Sequence, residues 1–219
     1  KFIIITRKST LDLEYVSKYL EESRIEYKHI DLADPLQVQQ VFETNKVTAV
    51  IHCAGIELSD SHDHIDTVSY ESKTKGAYHL HQFSDADIKL FWLCSSISSV
   101  WGVGSEYGYC YANAYMDSLA HLRKSNGLTV TCKHIGPVKD VGMAKDYDKE
   151  MTAIGLRPIT VSSVVDAFQN DSEIVADMIP SFGEHMMNHR SLFELIRESK
   201  FVSLSEISKK IISFGDVES

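Results

Sequence analysis

The chain has no run of basic residues, no long apolar run, no paired-cysteine motif and no glycine-rich phosphate-binding turn. Each absence excludes something. Lysine and arginine total 22 against 31 aspartates and glutamates, a net charge of −9, so nucleic acid is not expected as a partner. Apolar runs reach about five residues, such as Phe2 to Ile5, against roughly 20 for a spanning helix, so no membrane segment is expected. The chain opens on a strand-like run rather than a basic region and an apolar block, so no secretory leader is read there and the cytoplasm is the expected compartment. Cys53, Cys94, Cys110 and Cys132 stand apart, without CxxC spacing, and read as small buried residues in a reducing compartment. His62-Asp63-His64 looks metal-like, but its flanks are loop-like and no partner spacing follows, so no metal is assigned.

What is present is ordinary globular material. Apolar residues make up 43% of 219 and charged residues 24%, enough for one domain with a full core. Strand-like runs alternate with helical spacing. Phe2 to Thr6 is followed by Leu13, Val16, Tyr19 and Leu20 at helical intervals. Tyr27 to Asp31 reads as a second strand, and Asp34-Pro35 opens a short helix carrying Val38, Val41 and Phe42. Val47 to His52 is a third strand, ending at Ala54-Gly55, and a long helix is expected from about Ile65 to Phe83. Ile88 to Cys94 is a fourth strand, ending at serines; Tyr109 to Arg123 is a helix closed by Gly127; Leu128 to Ile135 is a fifth strand. The last third is less regular, with Ile174 to Ile179 as a final strand and Ser191 to Glu198 as a helix. The expected domain spans 1–200, with 201–219 as a docking helix or linker. The alternation predicts an α/β fold, a doubly wound parallel sheet with helices on both faces. Ligands of such sheets bind at the carboxyl ends of the strands, where Arg7, Asp31, Ala54-Gly55, Ser96 and Gly136-Pro137 fall.

Ser96 lies 13 residues before Tyr109, and Asn113 one helical turn after it. A hydroxyl at a strand end and a Tyr/Asn pair on the next helix converge on one carbonyl oxygen, the arrangement needed to deliver a proton during carbonyl reduction. A phenol with a pKa of about 10 needs a nearby cation to favour its ionised form, and Lys73, on the preceding helix, is the candidate.

These segments resemble the catalytic half of a polyketide synthase ketoreductase, a short-chain dehydrogenase/reductase, from residue 1 to about 145 and more weakly to about 198. Val50 to Gly55 resembles the family's Ala-Gly motif beside the nicotinamide ribose, Lys73 to Leu80 its catalytic-lysine helix, Phe91 to Gly102 its serine segment and Tyr109 to Ala120 its tyrosine helix. Gly136-Pro137-Val138 and Val141 to Ala144, with Met143, resemble the segment entering the active-site lid. Ordinary short-chain dehydrogenases carry lysine four residues after the tyrosine; here Asn113 holds that position and Lys73 lies 36 residues upstream, as in modular ketoreductases. The resemblance implies a Rossmann-like sheet, with Ser96 and Tyr109 on the substrate oxygen, Lys73 tuning Tyr109 and Asn113 supporting the network. It implies NADPH, with Arg7 on the 2′-phosphate, Asp31 and Leu32 at the adenine, and Ala54, Gly55, Pro137 and Val138 along the cofactor. It also implies a β-ketoacyl substrate on an acyl carrier protein, and neighbouring megasynthase domains that include the ketoreductase structural subdomain. Trp101, eight residues before Tyr109, matches the A-type pattern, which gives the L-hydroxyl; Ile56-Glu57-Leu58-Ser59 departs from the B-type Leu-Asp-Asp. Glu106 departs from the usual Gln or His three residues before the tyrosine, which bears on the α-substituent.

No GxGxxG occurs, so the family's first strand, glycine turn and first helix are expected before Lys1, on another piece of polypeptide, or replaced in a cofactor-free domain. Three functions follow: an NADPH-dependent ketoreductase, a structural pseudo-ketoreductase within a megasynthase, and a free-standing reductase of small ketones.

Overall fold

The computed structural model describes residues 1–7, 21–55, 70–102, 107–139, 152, 155–170 and 174–178. The expected helix at 13–20, the His62-Asp63-His64 cluster, Glu106, Met143, the helix at 191–198 and the 201–219 tail lie outside these residues.

Two parallel sheets carry the described chain. Strand β1 (Phe2–Thr6) pairs with β2 (Ile25–His29), Phe2 opposite Ile25 and Thr6 opposite His29. The second sheet has the order β3 (Ala49–His52), β4 (Leu90–Ser96), β5 (Thr131–Ile135) and β7 (Ile174–Val175). Every pairing in it is parallel. Helix α1 (Pro35–Thr44) links β2 to β3. Helix α2 (Glu71–Phe83) leads into β4, and α4 (Tyr107–Ser125) connects the short helix α3 (Ser98–Trp101) to β5. A further helix, α5 (Val161–Phe168), precedes β7, and β6 (Leu156–Arg157) pairs antiparallel with β8 (Asp177–Met178).

Helices α2 and α4 pack on each other and α4 packs on β4. Between helices and sheet lie Val50, Phe91, Leu93, Ala77, Leu80, Met116 and Leu119. Trp92 points to the other face and stacks on Phe168 of α5, ring centroids 4.5 Å apart. Both faces of β4 are therefore covered, which is the doubly wound architecture the alternation predicts. Arg123 is wholly buried at the end of α4. Its guanidinium lies 3.7 Å from the centroid of the Phe91 ring and donates to Thr129 O, His81 Nδ1 and Ser84 Oγ. It clamps the ends of α2 and α4 to the segment entering β5.

Several boundaries differ from the sequence reading, each for a local reason. Strand β4 runs two residues further, because Ser95 and Ser96 pair with His134 and Ile135. Strand β5 starts three residues later, because Leu128 N closes α4 by bonding Arg123 O after Gly127 turns at φ 70°. Strand β2 ends before Asp31, which forms a turn: its Oδ1 accepts Ala33 N at 2.9 Å. Asp34 caps α1 as expected, accepting Leu36 N at 2.9 Å, with Pro35 in the first turn. The single strand expected at 174–179 is two short ones that pair with different partners. Helices α3 and α5 went unread. The signal for α5 is Thr160, whose hydroxyl accepts Ser163 N at 3.1 Å, ahead of apolar residues at 161, 164, 165 and 168.

Helix α2 meets the turn after β2 at very short range. A Cβ on Gly76 would sit 2.8 Å from Leu32 Cβ, and His79 Nδ1 bonds Leu32 O at 2.8 Å. Gly76→Ala gains helix propensity, but the clash is with an atom fixed to the backbone. The variant is expected to lose about 1–3 kcal/mol, read as a lowered urea midpoint.

His52, at the end of β3, is almost wholly buried and bonds Lys73 O through Nε2 at 3.0 Å. Burial pushes its pKa down to about 4. The unfolded chain therefore takes up this proton first. Stability is full above an unfolded histidine pKa of about 6.5 and drains as pH falls toward 4, by about 3 kcal/mol from this ring alone. Urea titrations at pH 7 and pH 4 check this, and His52→Gln should show the shallower decline.

Candidate active site

The carboxyl end of β4 gathers the chemistry. The strand stops at Ser96, and the chain turns at once into α3, which packs on α4. Ser96 Oγ accepts Ser98 N at 3.2 Å, and Ser99 Oγ donates to Ser96 O at 2.9 Å, so the turn fixes its own serine. On α4, Asn113 is wholly buried and shares a face with Tyr109 four residues earlier. Its Nδ2 donates to Tyr109 O at 2.9 Å and to Ser98 Oγ at 3.3 Å, and Ser95 Oγ donates to Asn113 O at 3.3 Å. The serine turn and the tyrosine helix are thereby laced together. Further along α4, Asp117 is bonded by His134 Nε2 at 3.1 Å and by Cys132 Sγ at 3.4 Å, which ties the helix to β5.

Lys73 reaches the same place from α2. It is 4% exposed, its Nζ lies 5.9 Å from the centroid of the Tyr109 ring, and it donates to Cys94 O at 3.2 Å. Burial pulls its pKa down; Cys94, Cys53, Cys132 and Asp117 act against that. Burial likewise pushes the Tyr109 phenol up, with the Ser96 and Asn113 side chains opposing. The phenol therefore holds its proton, as a donor must. Tyr70 packs on the Tyr109 ring, centroids 6.0 Å apart and planes tilted by 52°. Four of the expected residues, Lys73, Ser96, Tyr109 and Asn113, thus come together.

The expected cofactor residues lie at strand ends. Arg7 is exposed beyond β1, its carbonyl bonded by His29 Nε2 at 2.8 Å. Ala54 and Gly55 follow β3, Gly55 exposed. Asp31 is half-buried, with Gln37 Oε1 accepting its N–H at 3.1 Å. Leu32 gives its side chain to the core, and its carbonyl is bonded by the buried His79 Nδ1 at 2.8 Å. Pro137 is buried after β5, and its carbonyl accepts Ile159 N at 2.9 Å; Val138 bridges Ile159. Trp101 is 7% exposed, ending α3. The donor set suits a nicotinamide cofactor: among the described residues Lys73 uses one of its three N–H groups, and the buried Asn113 Oδ1 accepts no bond.

Sequence reasoning missed two features here. His52 holds the backbone of Lys73 from β3, a role no motif announces. The cysteines are not four isolated buried residues: Cys53 is exposed, the other three are half-buried, and the Cys53 and Cys94 sulfurs lie 2.9 Å apart. Their positions beside paired strand ends were the available signal.

A family model described as the KR domain matches residues 2–140. Polyketide synthase GfsA of Streptomyces halstedii is 39% identical over 104 residues, 46% of this chain and 1% of its own length. Probable polyketide synthase 15 of Dictyostelium discoideum is 29% identical over 185 residues, 75% of this chain and 6% of its own. A solved A1-type ketoreductase aligns with a TM-score of 0.72 at 26% identity, covering 84% of this chain and 44% of that one. The chain spans a small fraction of these curated relatives and under half of the solved ketoreductase. With the KR model covering more than half of its residues and the same fold in the solved ketoreductase, the chain belongs to the polyketide synthase ketoreductase family of the short-chain dehydrogenase/reductase superfamily.

Proposed function

We propose that this chain is the catalytic half of an NADPH-dependent ketoreductase. It would reduce a β-ketoacyl group, tethered to an acyl carrier protein, to the β-hydroxyacyl product in cytoplasmic polyketide assembly. The observation that carries the reading is the cluster at the end of β4 of buried Lys73, Ser96 and Asn113 with half-buried Tyr109. Bound NADPH would supply the hydride. Arg7 would pair with the 2′-phosphate, Asp31 and the Leu32 backbone would meet the adenine, and Ala54, Gly55, Pro137 and Val138 would line the nicotinamide half.

The chain's own residues divide the remaining work. Ser96, whose hydroxyl is fixed by the α3 turn, holds the substrate oxygen by a hydrogen bond. Tyr109 gives its phenolic proton to that oxygen as negative charge develops there. Lys73, with its Nζ 5.9 Å from the Tyr109 ring centroid, would supply positive charge for the emerging phenolate, beside the Ser96 and Asn113 side chains that already oppose the effect of burial. Asn113 spends both its N–H groups on the turn and on Tyr109 O, holding donor and turn in register. Trp101, in the helix packed on the tyrosine helix, supports the A-type assignment and an L-configured hydroxyl, as does the likeness to an A1-type ketoreductase. Glu106 and Met143 are proposed to act on the α-substituent and the lid.

The test mixes the intact polypeptide with NADPH and a β-ketoacyl thioester and follows loss of nicotinamide absorbance. Turnover is expected; absence of both turnover and NADPH binding would establish the structural role instead. Tyr109→Phe should lower kcat by about 100-fold or more while leaving NADPH affinity intact, and retained activity would remove Tyr109 from its role. Lys73→Met should move the pH profile upward as well as lowering kcat, because the phenol loses its cation. Chiral analysis of the hydroxyacyl product should return the L-isomer; a D-product would overturn the Trp101 assignment.

A further inference from the structure

The parallel register of β3 and β4 places His52 opposite Leu93, so the next residue along each chain, Cys53 and Cys94, are lateral neighbours. Neighbouring strands run about 4.8 Å apart, inside the Cα separation of about 4.4–6.8 Å that a disulfide spans. The sulfurs are 2.9 Å apart and share a hydrogen bond, so closing to a bond of about 2.05 Å needs less than about 1 Å of movement. The two positions are 41 residues apart in sequence, and only the sheet register brings them together. Cys53 is exposed as a residue, although its sulfur, set against Cys94, still feels burial; Cys94 is half-buried behind it.

We propose that Cys53 and Cys94 form a redox couple, converted by a hydroperoxide to a reversible intramolecular disulfide beside Lys73. The proposal rests on the sheet geometry and stands whether or not the chain reduces ketones. The steps balance. Cys53 loses its proton and its sulfur attacks the hydroperoxide oxygen, breaking the O–O bond; hydrogen peroxide leaves one water and a sulfenic acid. Cys94 sulfur then attacks the Cys53 sulfur, the S–O bond breaks, and hydroxide takes up the Cys94 proton as a second water. Two thiols lose two electrons, the peroxide gains them, and a dithiol reverses the change. Cys53 is the nucleophile of the pair. The bond from Cys94 holds its thiol pKa down, against burial, and Lys73 adds to the effect. Cys94, half-buried behind Cys53, reacts second; its thiol is pushed up by that same bond and by burial.

The full chain, reduced and then exposed to stoichiometric hydrogen peroxide, should lose about 2 Da in intact mass, the two hydrogens of one disulfide. Proteolytic mapping should return one cross-linked pair, Cys53 with Cys94, and dithiothreitol should restore the original mass. Cys53→Ser, at the exposed position, should abolish the cross-link, and Cys94→Ser should leave Cys53 as a sulfenic acid that a dimedone probe traps. Retention of both thiols for alkylation after peroxide would overturn the proposal. So would a cross-link that maps to Cys110 or Cys132.

Discussion

A lysine ammonium almost wholly out of water is the constraint around which this end of the molecule is built. Burial alone pulls Lys73 toward neutrality, and an unpaired buried charge costs several kcal/mol. Among the described residues, the structure offsets that with a carbonyl and an aromatic face in contact. Cys94 O takes the hydrogen bond, the Tyr109 ring lies under the charge, and the Asp117 carboxylate acts from further off. Each partner fixes an element. Cys94 is in β4, Tyr109 in α4, and His52 of β3 grips the lysine backbone. Lys73 can keep its charge only if three strands and helices meet in this register, so the fold and the site impose the same condition.

A second buried cation sits at the other end of the same helices, and the comparison separates support from chemistry. Arg123 directs its Nε, Nη1 and Nη2 to Thr129 O, His81 Nδ1 and Ser84 Oγ. Because His81 accepts from a guanidinium, its Nδ1 must be unprotonated. Burial first, and then the Arg123 charge, hold its pKa down accordingly. This end of the helix pair is satisfied and closed. It fixes the spacing of α2 and α4, which in turn sets how far Lys73 stands from Tyr109.

What the sequence made legible follows from what is local. The β-α alternation depends on period-2 and period-3.6 patterns within single segments, and it located β1, β3, α1 and α4 to within a few residues. Tyr109 and Asn113 share a helix face because four residues is about one turn, so that pair needed no structure. Ser96 was placed by a strand end. The failures were non-local. Strand β4 ends where β5 stops pairing with it, and serine propensity alone argues for an earlier end. Leu32 stood beside Asp31 in a cofactor motif, but only the approach of Gly76 shows its side chain turned to the core. Cys53 and Cys94 were read as separate because register, which makes them neighbours, is a property of two strands and of neither one.

The hydrogen-bond balance at the two ends of α2 and α4 differs in kind. Around Arg123 four of the five guanidinium N–H groups have acceptors, at least one on each nitrogen, and a protein gains stability from such pairing. Around Lys73, among the described residues, one ammonium hydrogen is used, and Asn113 Oδ1 accepts nothing although it is buried. Surplus donors and a spare acceptor within one cluster are unfavourable for folding taken alone, because each unsatisfied group costs about 1–3 kcal/mol. Asn113 is held by Ser98 and by Tyr109 O, and Lys73 by Cys94 O. Local hydrogen-bond satisfaction has been given up at the strand end that carries the Ser/Tyr pair, and kept at the end that carries none. That asymmetry, more than any one residue, distinguishes the chemical end of this fold from its structural end.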